Sequence, residues 1–330
     1  MRQLDRDSAV PPPNQLFQPV WDRRGLRLAI VLGNHAPRGQ CPHAAADLCH
    51  HCDIGLGEGA QFDTPTNLRR LQLLNEHYRD VLPEVRHLVL YNSGSCLSPR
   101  ELSIEVLESA LNLARALPQL RMVSVDSREA YVRAETLRRL LFLLGRGREL
   151  RVILGIESAS DEIRCGLLDK RMPKSAIERA VAVIGVVGAE LLAETDRGVE
   201  PDSAMPGLAV NVVVGVPGTD GASAVRDAVA TSAYGLELAE RYGMALDVNV
   251  HPYYPTRRGL KRFPDHPRCS DETIRKAVAA ISAQVGDRGV VFVGWQDELH
   301  DLEQELRVAQ LSRLGPALDR VNRTGQTDLL

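Results

Sequence analysis

The stretch Leu26-Arg-Leu-Ala-Ile-Val-Leu32, followed by Cys41-Pro-His-Ala-Ala-Ala-Asp-Leu-Cys49-His-His-Cys52, decides how the rest of the chain is read. The first part is a short, near-continuous apolar run, the pattern of a parallel strand buried on both faces. The second places Cys41, Cys49 and Cys52 in a C-x7-C-x2-C spacing on the loop that leaves that strand. Thiolate sulfur holds the iron of 4Fe-4S clusters, and a cubane with three protein ligands keeps one iron open to an outside ligand. The same thiols with one of His43, His50 or His51 would also close a structural zinc site, since zinc takes mixed sulfur and imidazole ligands. The spacing by itself leaves both open.

Outward from this stretch, apolar strand patterns recur near 26–32, 86–91, 121–125, 151–156, 208–216, 245–251 and 289–294. Amphipathic helical patterns lie between them, near 65–81, 101–116, 130–144, 160–187, 221–242, 271–285 and 297–313. In the second of these, Leu102, Ile104, Val106, Leu107, Ala110, Leu111 and Leu113 fall mostly on one helical face. Repeated strand–helix units imply a parallel sheet covered by helices. Their number points to an α/β fold built as a full or partial (β/α) barrel, with a doubly wound open sheet as the alternative. Residues 1 to about 22 carry Pro11-Pro12-Pro13 and read as an extended arm. The organisation is therefore an arm over 1–24, a barrel over 25–260, and a strand–helix extension over 261–330 that closes the barrel mouth. The polar, proline-containing stretch Glu194–Pro206 reads as a long surface loop.

Composition bounds the function. The chain has 330 residues, 44% of them hydrophobic, and a formal net charge of -3, so it lacks the basic character that attracts a nucleic-acid backbone. Its basic clusters are local. Arg133, Arg138, Arg139, Arg146 and Arg148 read as a solvated helix face, whereas Arg257, Arg258, Lys261 and Arg262 follow a strand end. No apolar signal segment follows Met1 and no run is long enough to span a membrane. Six cysteines, three of them on one loop, suit a reduced cytoplasmic compartment better than a disulfide scaffold.

Chemistry in parallel barrels gathers where strands end. Here the second strand ends in Asn92-Ser93-Gly94-Ser95-Cys96, and the third in Asp126-Ser127-Arg128. The fourth ends in Gly155-Ile156-Glu157-Ser158, followed by Leu168-Asp169-Lys170 on the next helix. With the cysteine loop, these motifs resemble radical S-adenosylmethionine (SAM) enzymes, in the branch of the Elongator catalytic subunit's radical domain and the archaeosine synthase radical SAM subunit. The resemblance covers roughly residues 25–260 and departs at two places. The family's Phe after Gly-Ser is Cys96, and its Glu in the third turn is Asp126.

The resemblance implies a (β/α)6 partial barrel, a 4Fe-4S cluster on Cys41, Cys49 and Cys52, and SAM on the open iron. It implies SAM contacts from Asn92, Ser93, Gly94, Ser95, Asp126, Arg128, Glu157 and Asn211. Cluster reduction by a flavodoxin or ferredoxin would cleave SAM to a 5′-deoxyadenosyl radical that takes a hydrogen atom from substrate. Cys96 becomes a tentative catalytic thiol, a hydrogen donor or sulfur carrier beside the substrate. His251, Tyr253, Arg257 and Trp295, at and beyond the later strand ends, are substrate-contact picks. The mild acidity and the lack of room for an RNA-binding domain favour a small polar metabolite, such as a nucleoside or sugar intermediate of a specialised pathway. A tRNA-base modifying enzyme is the alternative within the class. A zinc-binding adaptor is the alternative outside it.

Overall fold

The apolar runs become adjacent strands of one sheet. The computed structural model describes residues 17–37, 41–52, 62–92, 94–197, 202–253, 257–294, 314–328 and 330. Its strands are β1 (Phe17–Asp22), β2 (Gly25–Leu32), β3 (Val85–Asn92), β4 (Met122–Ser127), β5 (Glu149–Glu157), β6 (Met205–Val214), β7 (Leu246–Pro252) and β8 (Gly289–Val293). They hydrogen-bond in chain order, β1 antiparallel to β2 and all later neighbours parallel. That order has no reversal point, which excludes the doubly wound alternative.

Helices supply the outer layer: α1 (Pro42–Ala45), α2 (Thr64–His77), α3 (Ile104–Ala116), α4 (Ala134–Leu144), α5 (Lys174–Asp196), α6 (Gly221–Arg241), α7 (Arg257–Arg262), α8 (Asp271–Val285) and α9 (Gly315–Thr324). The expected helix over 160–187 is divided into a π-helical turn, Glu162–Leu167, and α5. Pro173 is the reason: it lacks the N–H a continuous helix needs, and it disfavours helical backbone at the residue before it. Past its predicted end, α5 continues to Asp196, into the stretch read from sequence as loop.

Alternation along each strand separates two cores. Leu28, Ile30, Leu88, Leu90, Val123, Val125, Val152, Leu154, Val210 and Val212 face the helices and belong to the large apolar core. Ala29, Val89, Ile153 and Ala209 point the other way and form a small separate cluster with Tyr91 inside the sheet's curve. The curvature is nearly a full turn. Arg27 on β2 lies over the Phe292 ring on β8 at 4.0 Å, although five strands of the sheet separate them. Arg24, in the turn just before β2, reaches Asp247 on β7 at 2.6 Å.

The seam between β1 and β8 is covered by α9. The Asn322 side-chain amide accepts from Val293 N–H at 2.7 Å and donates to Val293 C=O at 3.1 Å, so it satisfies the open edge of β8. On the other side of the seam, Arg323 lies over the Trp21 ring at 5.5 Å. Residues 17–22 of the expected arm are thus a sheet strand, and the strand at 289–293 continues the same sheet. Among the described residues no helix is long and apolar enough to cross a membrane.

Candidate active site

The cysteine loop leaves the carboxyl end of β2 and lies across the barrel mouth. Cys41 caps the one-turn α1: its sulfur accepts from Ala44 N–H at 3.3 Å. Burial pushes the Cys41 thiol up, while that N–H works in the other direction. Asp47 and Cys49 both adopt left-handed backbone, at φ 56° and 58°. They turn the chain so that Cys49 N–H and His50 N–H reach the carbonyls of Asp169 and Leu168, at 3.3 and 2.9 Å. Cys52 N–H returns to Cys49 C=O at 2.9 Å. All six cysteines of the chain are free thiols.

The turn after β3 lies against this loop. A Cβ on Gly94 would collide with the Glu101 carboxylate and stand 2.6 Å from Asn34 Nδ2 and 3.1 Å from Cys41 Cβ, so only glycine fits. Glu101 is the buried centre of this corner, accepting from Ser95 N–H at 3.1 Å and Asn34 Nδ2 at 3.3 Å. Its burial raises its pKa despite those donors. Asn92 donates to Glu101 C=O at 3.2 Å. Ser95 accepts from Arg128 N–H at 3.1 Å and so joins this turn to the next one. Ser93 lies outside the described residues.

Arg128, at the end of β4, reaches into the cysteine loop. One guanidinium nitrogen is 3.7 Å from Cys49 Sγ and the other donates to Lys170 C=O at 2.7 Å. Beside it, Lys170 Nζ binds Glu157 Oε1 at 2.6 Å, with His51 Nε2 at 3.6 Å from the same oxygen. Burial alone would raise the Glu157 pKa, but the Lys170 ammonium and His51 outweigh it and hold the carboxyl far below the usual carboxylate range. Glu157 sits at φ 64°, at a bulge in the β5–β6 ladder, and its carboxylate folds back over Gly155. A Cβ there would stand 2.5 Å from Glu157 Oε1 and 2.7 Å from Lys170 Nζ. The cationic setting also reaches His43: burial first, then the charges of Arg128, Lys170 and Arg171, press its pKa down to about 4.

Below these groups the barrel interior offers polar side chains above a small apolar floor. Asn211 and Asn249 are register partners on β6 and β7 and share an amide hydrogen bond at 3.0 Å. His251 lies one inward position further up β7, beside Val213. Asp126 stands on the inward-facing side of β4, half-buried, in register with Ile153. The floor is Ala29, Val89, Ile153 and Ala209.

Two sequence picks are not brought to the mouth. Cys96, expected to face substrate, points outward into the helix-facing core; it is 2% exposed, and its thiol donates to Leu90 C=O at 3.3 Å. Burial raises that thiol's pKa well above the ordinary value, which withholds the thiolate. The reason is the turn itself: Cys96 N–H bonds Asp126 C=O, which aims the side chain away from the barrel. Tyr253 packs with Leu168, Val213 and Val216 and meets the His266 ring edge-on at 5.4 Å, a packing position rather than a substrate wall. Trp295 lies outside the described residues, as does the Arg257 side chain.

Sequence reading missed Glu101, which carried no motif. It quoted Lys170 within Leu168-Asp169-Lys170 without giving it a role. A buried ion-pair partner for Glu157 was the available signal, since a lone carboxylate at a strand end must be neutralised or paired.

The cysteine loop can be tested as a cluster site on its donors. It presents three thiols beside two cations, Arg128 and Lys170, and its backbone is fixed by the segment 168–170. That chemistry fits a thiolate-held iron–sulfur cluster. Among the described residues no three His, Cys, Asp or Glu side chains are grouped closely enough to hold a metal ion as they stand, so the fit is one of donor type and placement.

No protein-family model matches the chain, and no curated protein matches it. Solved structures do. Coproporphyrinogen III oxidase (HemN) from Escherichia coli, described as a radical SAM enzyme, is similar at 13% identity over 73% of this chain and 50% of that one, with a TM-score of 0.40. The archaeal Methanocaldococcus infernus Elp3 is similar at 12% identity over 88% and 63%, with a TM-score of 0.44. The radical SAM methyltransferase TsrM from Kitasatospora setae, solved with cobalamin and a [4Fe-4S] cluster, is similar at 15% identity over 88% and 61%, with a TM-score of 0.42. The chain thus spans 50 to 63% of the length of these three structures.

Proposed function

We propose that this chain is a radical SAM enzyme that acts on a small polar metabolite. The observation that carries the reading is the cysteine loop itself. Three free thiols lie at the carboxyl end of the first parallel strand, and the loop is fixed by Arg128 and by the carbonyls of Leu168 and Asp169. When bound there, a 4Fe-4S cluster with one open iron supplies reductive cleavage of SAM and hence a 5′-deoxyadenosyl radical.

The chain's own residues do the rest by placement. Arg128 and Lys170 set positive charge beside Cys49, where an anionic thiolate-held cluster would lie. Asn92, Gly94 and Ser95 hold the neighbouring turn against Cys41, where backbone can approach an amino-acid headgroup. Asp126 and Glu157 put carboxylates at adjacent strand ends, suited to ribose hydroxyls and an ammonium. Asn211, Asn249 and His251 offer hydrogen bonds to substrate above a floor too small and apolar to hold water well. A mildly acidic chain with polar side chains on the inner face of its sheet suits a metabolite, such as a nucleoside or sugar intermediate, better than a tRNA.

Anaerobic reconstitution with iron and sulfide tests the proposal. The wild-type chain should take up about four iron atoms, absorb near 400 nm as thiolate-bound clusters do, and release 5′-deoxyadenosine from SAM under a reductant. The triple variant Cys41→Ala, Cys49→Ala, Cys52→Ala should do none of these, while Cys165→Ala and Cys269→Ala keep their iron. A triple variant with full iron content would remove the assignment, and tight stoichiometric zinc in the wild type would favour the adaptor.

A further inference from the structure

The basic segment after β7 follows a strand end, and that placement suggests substrate contact. The structure uses part of it differently. Arg258 on α7 is 4% exposed and turned into the cysteine loop. One guanidinium nitrogen donates to Cys52 C=O at 3.0 Å and the other to Ala44 C=O at 2.8 Å. Its Nε is 3.4 Å from Asp47 Oδ1, and Lys261 approaches the other oxygen of Asp47 at 3.6 Å. Just beyond α7, the Phe263 ring meets His50 edge to face, with centroids 6.5 Å apart.

We propose that α7 is a strap over the cysteine loop and that Arg258 is the positioning residue for the cluster ligands. The inference rests on the function proposed above. An exposed pair such as Lys261–Asp47 contributes little alone. A buried guanidinium fork is different, because its planar, fixed donors can bind two carbonyls at once and an ammonium cannot copy that geometry. Here the fork joins the end of α1, three residues after Cys41, to the carbonyl of Cys52 itself. It therefore fixes the distance between the outer two ligands of the loop. It also leaves a permanent positive charge beside Cys52, which lowers the cost of adding an electron to a neighbouring thiolate cluster.

The test uses the full chain with Arg258→Gln and Arg258→Lys. In the metal-free protein, amide hydrogen exchange over residues 44–52 should quicken in both variants, by about tenfold or more, because both lose the fork. After reconstitution, both should hold less iron than wild type. The cluster's midpoint potential should move to more negative values in Arg258→Gln, which loses the charge, and stay near wild type in Arg258→Lys, which keeps it. Unchanged exchange in the loop would overturn the strap. Loop exchange that quickens while potential and iron content match wild type in both variants would overturn the positioning role. Should the wild type take up no cluster, the proposed function fails, yet the exchange measurement on metal-free protein still decides whether α7 holds the loop. Should Arg258→Gln not fold, Arg258→Lys carries the exchange and iron measurements.

Discussion

The two ends of the barrel solve opposite problems. At the foot, Asp22, His87 and Ser124 form a closed chain: His87 Nδ1 lies 2.7 Å from Asp22 Oδ2 and Nε2 lies 2.8 Å from Ser124 Oγ. Arg24 binds Asp247 beside it, and Arg151 pairs with Glu149. These residues are paired with one another, and among the described residues no non-glycine residue there takes left-handed backbone. At the mouth, five non-glycine residues take left-handed backbone: Asp47, Cys49, Glu157, Asp169 and Arg171. Among the described residues these are the whole set, and all lie in the cysteine loop or the segments that brace it. Such conformations cost about 1–3 kcal/mol each and persist only where surroundings impose them. The foot holds the barrel together. The mouth spends that stability on placing thiols, cations and carboxylates where chemistry can use them.

The largest expected effect lies at the mouth. In Lys170→Met, Glu157 is left buried without its cation, a loss that costs about 3–5 kcal/mol in comparable buried pairs. Denaturant unfolding should show it, and iron uptake should fall with it, since the segment whose backbone carbonyl anchors Arg128 loses its side-chain brace to Glu157. Adding Glu157→Leu should recover much of the stability but not the iron. If Lys170→Met is as stable as wild type, the pair is not the brace described here.

A smaller and different effect is expected at the foot. Burial is the main force that lowers the His87 pKa, opposed by Asp22. In the unfolded chain a histidine titrates near about 6.5. Between that value and the lower folded one, the unfolded state binds more protons, so stability rises with pH. The His87 contribution is therefore complete above about pH 6.5 and declines as pH falls through the window below it. Asp22, whose own pKa is lowered, adds the same sign at lower pH. Replacing His87→Gln should cost about 1–3 kcal/mol at pH 7 and flatten the fall in stability between pH 7 and 5. An unchanged slope would mean that other histidines, such as His43 and His51, carry it.

The same contrast explains what the sequence disclosed. Strand positions were legible because each is a short, near-continuous apolar run between helical patterns, and because chemistry-bearing turns recur at strand ends. Cys41, Cys49, Cys52, Arg128 and Glu157 were picked from strand-end motifs and the family resemblance those motifs carry; Arg128 lies against Cys49, and Glu157 against His51 of the same loop. The closing devices were not legible. The strand β1 comes from a segment whose prolines signal an extended arm, and Asn322 satisfies the edge of β8 through a contact 29 residues away. Arg258 makes its contacts to Ala44 and Cys52 across more than two hundred residues. Local pattern fixes an element and the face it buries. It does not say which distant carbonyl a cation will find.

Cys96 is the sharpest case of that limit, and it carries the smallest expected effect. Its place in a strand-end turn suggested a thiol facing substrate. The turn's hydrogen bond to Asp126 C=O rotates it instead into the helix-facing core, against Leu90. There the thiol acts as a small apolar filler. Cys96→Ala should therefore cost about 1 kcal/mol, the scale of removing one small buried group from a packed core. Iron content, 5′-deoxyadenosine release and product formation should all remain at wild-type ratios to one another. A variant that still cleaves SAM but loses product would show that the thiol reaches the mouth during turnover, and the outward-facing turn would then be only one of two states.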